Sequence, residues 1–492
     1  HSVDGRAAGS CQRAHSWGNP VMLGWGAWRP DVGGPLSGFA KTAEGVVPKK
    51  VASGLGYGPF PRLVTAAGAE ALPGTPRGNL SLQVPGSGWK QYFATDTTIE
   101  EMASDYSWTS IDTGRTPPAG DDVSFCQFGS FLLNTDTVDG YCAYDIVTPS
   151  GNNAVSGAPA GRSLFTCSNV VFVLDCDGNN RRMRSTDIGR YDVFDKGAAD
   201  GKVFETGGAL IAGRDLSNGV ALIWQEQSIR VVQFGSGPST YALTQLTGNR
   251  GAVSDRTVVA MDQRAFWWDT TGPWMFAGGA PVPIGENKIN VWAGDNIGAS
   301  NYANLQGTID PSRNIVGWRL DATRILIYNW VEEEFSIVKA TTTAIAKLAT
   351  SAITIGDLTG MIGSYTVPFG NRLWQGSAPL LGGLDADMKF ATFSGANMGV
   401  TLETCVMNSP TQDLITLATP ADDCADGTLA LGTSDTFGED VTYAAGEVRQ
   451  PARGGATNQR GRGSNISFKR QIDPEAQWTY LEGVDHINGE GK

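Results

Sequence analysis

The stretch "ALIWQEQSIRVVQFGSG", residues 221–237, has the pattern of a β-hairpin. Aliphatic and aromatic side chains recur in both halves, and Glu226-Gln227 predict the turn between them. Runs rich in β-branched and aromatic residues on each side of a short polar turn are typical of antiparallel strands. The residues that give this pattern are Ile223, Trp224, Ile229, Val231 and Phe234. Whether the hairpin frames a catalytic site or forms one unit of a scaffold depends on its surroundings.

Five segments of this kind follow one another along the chain: 123–145, 163–187, 208–234, 256–279 and 307–338. Turn signals such as Asp177-Gly178 and Asn218-Gly219 separate their apolar runs. Each segment carries three or four short strands at a spacing of about 40–50 residues, which is typical of propeller blades. A pair of sandwich sheets gives similar local signals, but five consecutive units favour the ring. The sequence therefore predicts a mainly β protein with a β-propeller.

Composition divides the chain into three parts. Residues 1–60, dense in Gly, Pro and Trp, predict an irregular docking segment, and 61–395 predict the propeller. Residues 396–492 predict an additional C-terminal β section with sandwich-like strands, while 341–364 fit a helix or a strand equally well. Trp25 and Trp28 are predicted to pack on another surface, of the same chain or of a neighbouring one.

Overall composition limits the classes of function. The chain of 492 residues has 64 Gly, 24 Pro and 41% hydrophobic residues, which suits a large core with many turns. No run of about 18 apolar residues predicts a membrane-spanning helix, and no signal peptide is recognised at the N-terminus. The net charge is −13, whereas proteins that grip nucleic acid usually show a basic face. An acidic surface would instead repel DNA and leave it mobile.

Metal and thiol chemistry find little support in the sequence. The seven cysteines form no C-x-x-C pair, and the three histidines lie near the chain ends, so no metal site is predicted. The cysteines are expected to be buried free thiols. The segment "DCDGNN" (175–180) resembles the start of a calcium loop, but its Gly comes two places early and Thr186 stands where Glu is needed. A polar hairpin turn is the better interpretation.

Catalytic motifs are also missing from the sequence. It has no G-x-S-x-G elbow, no H-E-x-x-H helix and no G-x-x-x-x-G-K-[ST] phosphate loop. Four carboxylates at predicted strand ends are where a propeller glycosidase might hold its acid and base: Asp262, Asp269, Asp310 and Asp321. Acidic residues are common in turns of any β protein. We therefore predict no catalytic residue, no cofactor and no enzymatic activity.

A basic, Gly-rich stretch lies at 449–470. Base stacking is not indicated, because Phe468 is the sole aromatic residue in it. The favoured interpretation is a solvated loop or one that docks on an acidic partner. Its six cations are candidates for contacts to DNA or to a partner: Arg449, Arg453, Arg460, Arg462, Lys469 and Arg470.

Several motifs carry a family resemblance: "MLGWGAWRPDVGG" (22–34), "GYGPFPRL" (56–63), "LPGTPRGNL" (72–80) and the stretch 249–292. They resemble virion proteins of short-tailed phages, of the tail nozzle type (also called tail hub or packaged-DNA stabilisation protein). The resemblance covers roughly residues 22–340 and is weaker in the C-terminal strands. The basic stretch and the 341–364 region depart from it.

The resemblance implies a structural protein of the phage tail, assembled in the host cytoplasm into a hexamer around the DNA exit channel. Double-stranded DNA would pass it transiently on ejection, and the packaged genome would be retained until then. Its partners would be itself, the adaptor ring, and tail fibre, spike or needle proteins. Subunit or adaptor contacts would come from Trp25, Trp28, Tyr57 and Phe60. Asp121-Asp122 and Glu332-Glu333-Glu334 are candidates for the channel lining, and solvated turns explain them equally well.

Two alternatives stay open. One is a carbohydrate-active propeller enzyme, such as a tail depolymerase, which the fourteen Trp residues favour because aromatic rings stack on sugars. The other is a receptor-binding adhesin without enzymatic activity.

Overall fold

The computed structural model describes residues 23–32, 37–52, 54–84, 88–118, 120–235, 240–348, 380–436 and 440–491. Five strands begin the chain: β1 Leu23–Gly24, β2 Thr42–Glu44, β3 Val46–Val51, β4 Gly54–Pro59 and β5 Pro61–Thr65. Four of them lie in segment 1–60, for which the sequence predicts irregular structure. β3 and β4 form a hairpin in which Val46 pairs with Pro59. Proline and glycine hide these strands in the sequence because both residues are otherwise depleted in strands.

Five antiparallel four-stranded sheets follow in chain order. The first three hold β6 Gly78–Val84, β7 Gly88–Ala94, β8 Thr98–Met102 and β9 Trp108–Thr113; β10 Ser124–Phe128, β11 Phe131–Thr135, β12 Cys142–Asp145 and β13 Asn153–Ala154; and β14 Gly161–Cys167, β15 Val170–Cys176, β16 Asn179–Ser185 and β17 Asp200–Val203. The next two hold β18 Leu210–Asp215, β19 Val220–Gln225, β20 Ile229–Phe234 and β21 Tyr241–Thr247; and β22 Val259–Met261, β23 Arg264–Asp269, β24 Gly272–Phe276 and β25 Val282–Pro283.

The predicted turns inside these sheets are confirmed. The hairpin at 221–237 is the pair β19–β20, the middle of its sheet, and Trp224 pairs with Ile229 across the turn. Asn218 and Gly219 have φ of 55° and 74°, and Asp177 and Gly178 have φ of 55° and 72°. Such left-handed pairs suit two-residue hairpin turns, whose twist matches that of the flanking strands.

Two further four-stranded units complete a ring. The sixth unit holds β26 Gln306–Asp310, β27 Ile315–Arg319, β28 Arg324–Asn329 and β29 Glu334–Lys339. The last contains β30 Ala344–Leu348, β31 Leu380–Leu384, β32 Phe390–Asn397 and the N-terminal strand β5. The first strand of each unit contacts the first strand of the next, and β30 contacts β6. The chain is therefore mainly β with a β-propeller, made of six separate blades and the unit β26–β29, which lies sixth in the ring and continues into a larger sheet.

The larger sheet is the additional β section. Its C-terminal strands are β33 Val400–Glu403, β34 Met407–Asp422, β35 Thr428–Ser434, β36 Thr442–Tyr443, β37 Glu447–Val448, β38 Thr457–Ile472 and β39 Leu481–Gly491. The strand order is β26-β27-β28-β29-β2-β33-β38-β34-β39-β4-β3, with β1, β35, β36 and β37 off this path. The curled sheet therefore contains strands from all three predicted parts of the chain, 1–60, 61–395 and 396–492.

Helical structure is sparse among the described residues. It comprises α1 Asn290–Asn296 and the 3₁₀ turns Asp255–Thr257, Ala299–Asn304 and Pro451–Arg453. Within the described ranges, no helix has the length and apolar character needed to cross a membrane.

The largest hydrophobic core joins the propeller to the curled sheet. It combines side chains from the N-terminal segment, such as Trp28, with Trp268 and Trp318 of the blades and Phe468 of β38. Smaller clusters lie between successive blades, for example Phe172 with Ile223 and Trp224 with Trp267. Burial of apolar area in one shared core makes the two parts a single packed body.

Substitution of Trp28 tests whether this core joins the propeller to the curled sheet. Its side chain is 3% exposed and meets Trp292 edge-on with ring centroids 5.1 Å apart. We expect Trp28→Ala to lower the free energy of unfolding by about 3–5 kcal/mol, because the cavity it leaves cannot collapse fully. Denaturant unfolding followed by tryptophan fluorescence measures the loss. Tyr480→Ala, at a side chain 37% exposed, is the control and should change stability little; equal effects of the two variants would contradict the shared core.

Candidate functional site

An ion pair bridges the centre of the propeller. Asp122 lies two residues before β10 of the second blade, and Arg256 lies in the 3₁₀ turn before β22 of the fifth blade. The Arg256 guanidinium donates from both Nε and an Nη to the two oxygens of the Asp122 carboxylate. The first strands of the blades surround the propeller axis, so a contact between the second and fifth blades crosses it. Burial acts to lower the pKa of Arg256, but the bond to Asp122 outweighs it and raises that pKa.

Neighbouring ion pairs extend this bridge. Asp255 accepts hydrogen bonds at 2.9 Å from both Nη groups of Arg214 and at 3.0 Å from Ser163 Oγ. Arg162 lies 3.6 Å from Asp121 and 3.2 Å from Asp175. We call these groups the axial network: Asp121, Asp122, Arg162, Ser163, Asp175, Arg214, Asp255 and Arg256. Bidentate arginine–carboxylate pairs of this kind fix geometry as well as adding energy.

The axial network has a consequence for passage along the propeller. Two hydrogen-bonded side chains occupy the axis at this end, and a DNA duplex is far wider than the gap that they span. Asp121 and Asp122, candidates for a channel lining, are instead neutralised by arginines of the same chain. The centre of the propeller is therefore bridged at this end by side chains of the chain itself.

The acidic run at 332–334 also serves the chain itself. Glu334 is buried, binds Arg29 and lies 3.8 Å from Lys288 Nζ. Lys288 also donates to the carbonyl oxygen of Glu333. Burial lowers the pKa of Lys288 despite the nearby Glu334. Glu334 therefore fastens the N-terminal segment to the sixth unit, and its assignment to a channel lining is corrected.

The four predicted aromatic contacts are also corrected. Trp25, Trp28, Tyr57 and Phe60 are all buried within their own chain. The Tyr57 hydroxyl donates to the Gly26 carbonyl oxygen at 2.9 Å, and burial raises its pKa. Phe60 packs edge-on against Phe393 at 5.2 Å. These buried rings leave no surface for contact with a second subunit. For Trp25 and Trp28 the sequence predicted packing on the same chain or on a neighbouring one, and the structure shows packing on the same chain.

Three of the six predicted cations have structural roles. Arg470 is fully buried on β38 and binds Asp422 through Nε at 3.1 Å, while Arg449 binds the same carboxylate at 2.7 Å. Lys469 lies 2.8 Å from Glu403. The stretch is largely a strand and not a loop, because β38 pairs with β33, β34 and β35. The DNA contact predicted for Arg470 is therefore corrected by its burial, whereas Arg449 and Lys469 are half-buried in their ion pairs.

Arg460 and Arg462 remain at the surface. Both side chains are exposed on the same side of β38, whereas the adjacent Gln459 is buried. Alternate residues of a strand point to opposite faces, so the two guanidinium groups lie side by side. The side chain of Arg453 lies outside the described residues, as does most of 341–364. Arg460 and Arg462 are thus the candidates for contacts to DNA or a partner that the fold leaves accessible.

The carboxylates considered for acid–base catalysis hold turns together. Asp269 accepts from Thr271 Oγ1 at 2.6 Å, Asp310 from the Ser312 backbone amide at 3.1 Å, and Asp321 from Arg324 Nε at 2.6 Å. Burial acts to raise the pKa of Asp321, but these turn hydrogen bonds outweigh it and lower the pKa to about 2. Asp262 sits at a hairpin turn with φ of 52°. Asx-type hydrogen bonding accounts for the positions of Asp269, Asp310 and Asp321.

The described residues contain no group of three side chains suited to hold a metal ion. In the hairpin at 175–180, Asp175 lies near Arg162, and Asp177 lies 3.5 Å from Arg182 and 3.7 Å from Arg184. Their carboxylates therefore neutralise arginines, in keeping with a polar hairpin turn.

A cleft of about 610 Å³ lies where the last blade meets the curled sheet. Its wall carries ion pairs between distant segments: Lys339 binds Glu44 at 2.6 Å, and Arg62 binds Glu475 beside it at 2.6 Å. A second cleft, of about 480 Å³, lies beside Phe131 and Tyr191, whose ring centroids are 4.2 Å apart. Sequence analysis missed both, because their walls come from separate segments without a shared motif.

Comparison with known proteins adds little beyond the fold. No family model and no curated protein matches the chain. Solved structures similar to it include U3-55K and the WD40 repeats of RRP9, each with 8% identity, a TM-score of 0.35, and coverage of 58% of this chain and 88% of the other. Another is the extracellular domain of a hybrid two-component system from B. thetaiotaomicron, with 10% identity, a TM-score of 0.40, and coverage of 78% and 47%. The chain is a β-propeller protein with a large curled sheet, as its own strand order defines.

The pair between Asp422 and Arg470 supplies a test of the structural role of the basic stretch. Asp422→Asn leaves the buried Arg470 and the nearby Arg449 without their counter-charge, so we expect the free energy of unfolding to fall by about 3–5 kcal/mol. Denaturant titration measures it. Asp192→Asn, which breaks the exposed pair with Arg190, is the control and should cost less than about 1 kcal/mol. Indistinguishable losses would refute the structural role.

The thiols supply a second test. The six described cysteines are free and buried, as predicted, and burial raises the pKa of Cys167 and Cys176 to about 12. Their protonated thiols should react slowly with Ellman's reagent at about pH 8, because the thiolate is the nucleophile. Cys11 lies outside the described residues, so we expect at most one fast thiol in the native chain and all seven after denaturation. Several fast thiols in the native chain would contradict this burial.

Proposed function

We propose that the chain is a structural protein of a short-tailed phage virion, a subunit of the tail nozzle. Six copies surround the DNA exit channel, retain the packaged genome, and provide attachment for the adaptor ring and for fibres or spikes. The sequence motifs at 22–34, 56–63, 72–80 and 249–292 are the source of this assignment.

The bridge between Asp122 and Arg256 is the observation that carries the proposal. It ties opposite blades together across the axis, which makes the propeller a braced disc. A nozzle subunit must withstand the pressure of packaged DNA, and closed sheets with few free edges suit that load without aggregating. With the propeller axis occupied, the conduit is the space enclosed by several copies.

The charge of the chain suits a conduit. At −13 per chain, a ring of copies carries a large negative charge that repels phosphates and leaves passing DNA mobile. Arg460 and Arg462 add a small exposed basic site on β38. Two guanidinium groups per subunit can contact phosphates or an acidic partner without holding the duplex tightly.

The assembly state tests the proposal. We expect native mass spectrometry of the purified chain, with and without its adaptor protein, to give a species of six copies. Cryo-electron microscopy of the particle should place the chain in six-fold symmetric density below the portal. A fibre trimer at the tail periphery would defeat this placement.

Release of sugar from a polysaccharide tests for a catalytic role. Incubation of the purified chain with host-surface polysaccharide should release no sugar, and the Asp269→Asn and Asp310→Asn variants should be indistinguishable from the parent chain. Sugar release that either variant abolishes would establish the depolymerase in place of the nozzle.

A further inference from the structure

The second cleft, of about 480 Å³, lies between the second and third blades. Strand register builds one of its walls, because Phe131 is the cross-strand partner of Asp145, and Ala143 is that of Asn153. Residues opposite one another, and residues two apart along a strand, share a face of the sheet, so these four side chains lie on one face of the second blade. Residues 191–192, in the connection from β16 to β17, form the other wall. We call this site the aromatic cleft.

Two aromatic rings line the aromatic cleft. Phe131 and Tyr191 are half-buried, and their ring centroids lie 4.2 Å apart with 33° between the ring planes. The Tyr141 hydroxyl donates to the Tyr191 carbonyl oxygen at 2.8 Å, which holds the connection of the third blade against the second. Because the two rings pack on each other, they leave no gap between them for a ligand. What they present to the cleft is one continuous apolar surface.

The polar groups of the aromatic cleft are mainly hydrogen-bond acceptors. The Asn153 side-chain amide donates to the Gly151 carbonyl oxygen at 2.9 Å, which leaves its side-chain oxygen as an acceptor. Asp145 accepts three hydrogen bonds within its own turn, at 2.6, 3.0 and 3.2 Å, and a carboxylate has about four acceptor positions. Within the described part of the chain, the hydroxyl groups of Tyr191 and Ser150 have no hydrogen-bond partner. A ligand that satisfies these groups must donate several hydrogen bonds.

The charge of the aromatic cleft disfavours an anionic ligand. Its described lining residues include two carboxylates and no cationic side chain. Arg190 neutralises Asp192 by donating from Nε and an Nη group at 2.8 Å each, whereas no cation of the described residues forms an ion pair with Asp145. Rings that pack on each other also do not enclose a cation in the way that an aromatic cage does. The lining therefore suits a neutral ligand that is rich in hydroxyl groups.

The two carboxylates suit binding better than catalysis. Hydrogen bonds from the Thr148 hydroxyl and from the turn amides lower the pKa of Asp145, and the bond from Arg190 lowers the pKa of Asp192. A glycosidase needs one carboxyl group with a raised pKa to protonate the leaving group. Neither of these two carboxyl groups has that property.

We propose that the aromatic cleft binds a neutral hexose unit of a glycan without cleaving it. The apolar C–H face of the pyranose ring packs on the surface formed by Phe131 and Tyr191, and its hydroxyl groups donate to Asp145, Asn153 and Asp192. The volume of about 480 Å³ lies within the range of about 300–1,000 Å³ that is typical of small-molecule sites. This inference does not depend on the proposed nozzle function.

Saturation-transfer difference NMR on the full chain measures the binding of four probes, the methyl pyranosides of glucose, galactose, mannose and N-acetylglucosamine. We expect at least one probe to bind, with the strongest transfer to the C–H protons of one face of its ring. Tyr191→Ala should weaken that binding by about tenfold or more, because half of the apolar surface is lost. Tyr480→Ala, at an exposed tyrosine that does not line the cleft, is the matched control and should bind like the parent.

An exposed polar side chain separates the loss of a ligand contact from a loss of packing. Asn153→Ala should weaken sugar binding by about threefold to tenfold and leave thermal unfolding unchanged, since its side chain is exposed. Asn180→Ala, at an exposed asparagine of the third blade outside the cleft, is its control and should change neither quantity.

Three outcomes would overturn the proposal. These are no binding of any of the four probes, parent-like binding by both Tyr191→Ala and Asn153→Ala, and tighter binding of choline or of methyl glucuronide than of every neutral sugar. Tyr191→Ala should form the same oligomer as the parent chain in native mass spectrometry. A failure of the sugar site is therefore distinguishable from a failure of the nozzle assignment.

Discussion

Closure of the ring depends on the pairing of β5 with β32. A propeller buries both faces of every blade only when the last blade packs on the first. Here β5, which precedes the first blade, becomes the fourth strand of the last one, with Thr65 opposite Ala391 and Leu63 opposite Phe393. This ladder joins positions more than 300 residues apart at an entropic cost that grows slowly with loop length. Phe60, buried against Phe393, anchors the strand.

The curled sheet braces the ring at its sixth position. β2 pairs in parallel with β29 and in antiparallel fashion with β33, so the N-terminal segment lies between the propeller and the C-terminal strands. The core beneath is shared, and the buried carboxylate of Asp422 fixes the C-terminal strands through two arginines. Because removal of one partner leaves a buried charge unpaired, such pairs specify one arrangement more than they add stability. Propeller and sheet thus share one hydrophobic core.

Most charged groups in the interior and in turns form ion pairs or hydrogen bonds within the chain. Asp122 and Asp255 neutralise arginines at the axis, and Asp310 and Asp321 stabilise turns. Arg460 and Arg462 on β38 are among the charged side chains that stay exposed. Exposed charges of this kind can select partners and set their orientation through electrostatic complementarity.

The sequence by itself determined the strands, the repeat and the turns of the five units between residues 123 and 338, because alternation of apolar residues and dipeptides such as Asn218-Gly219 act over a few residues. It also determined the burial of the free thiols. Only the tertiary structure decided that β5 closes the ring, that Trp28 packs inside its own chain, and that Arg470 binds Asp422. Each of these contacts joins segments far apart in the chain. A cation in a local pattern is the same whether a phosphate or a distant carboxylate neutralises it, so its partner is fixed by the fold.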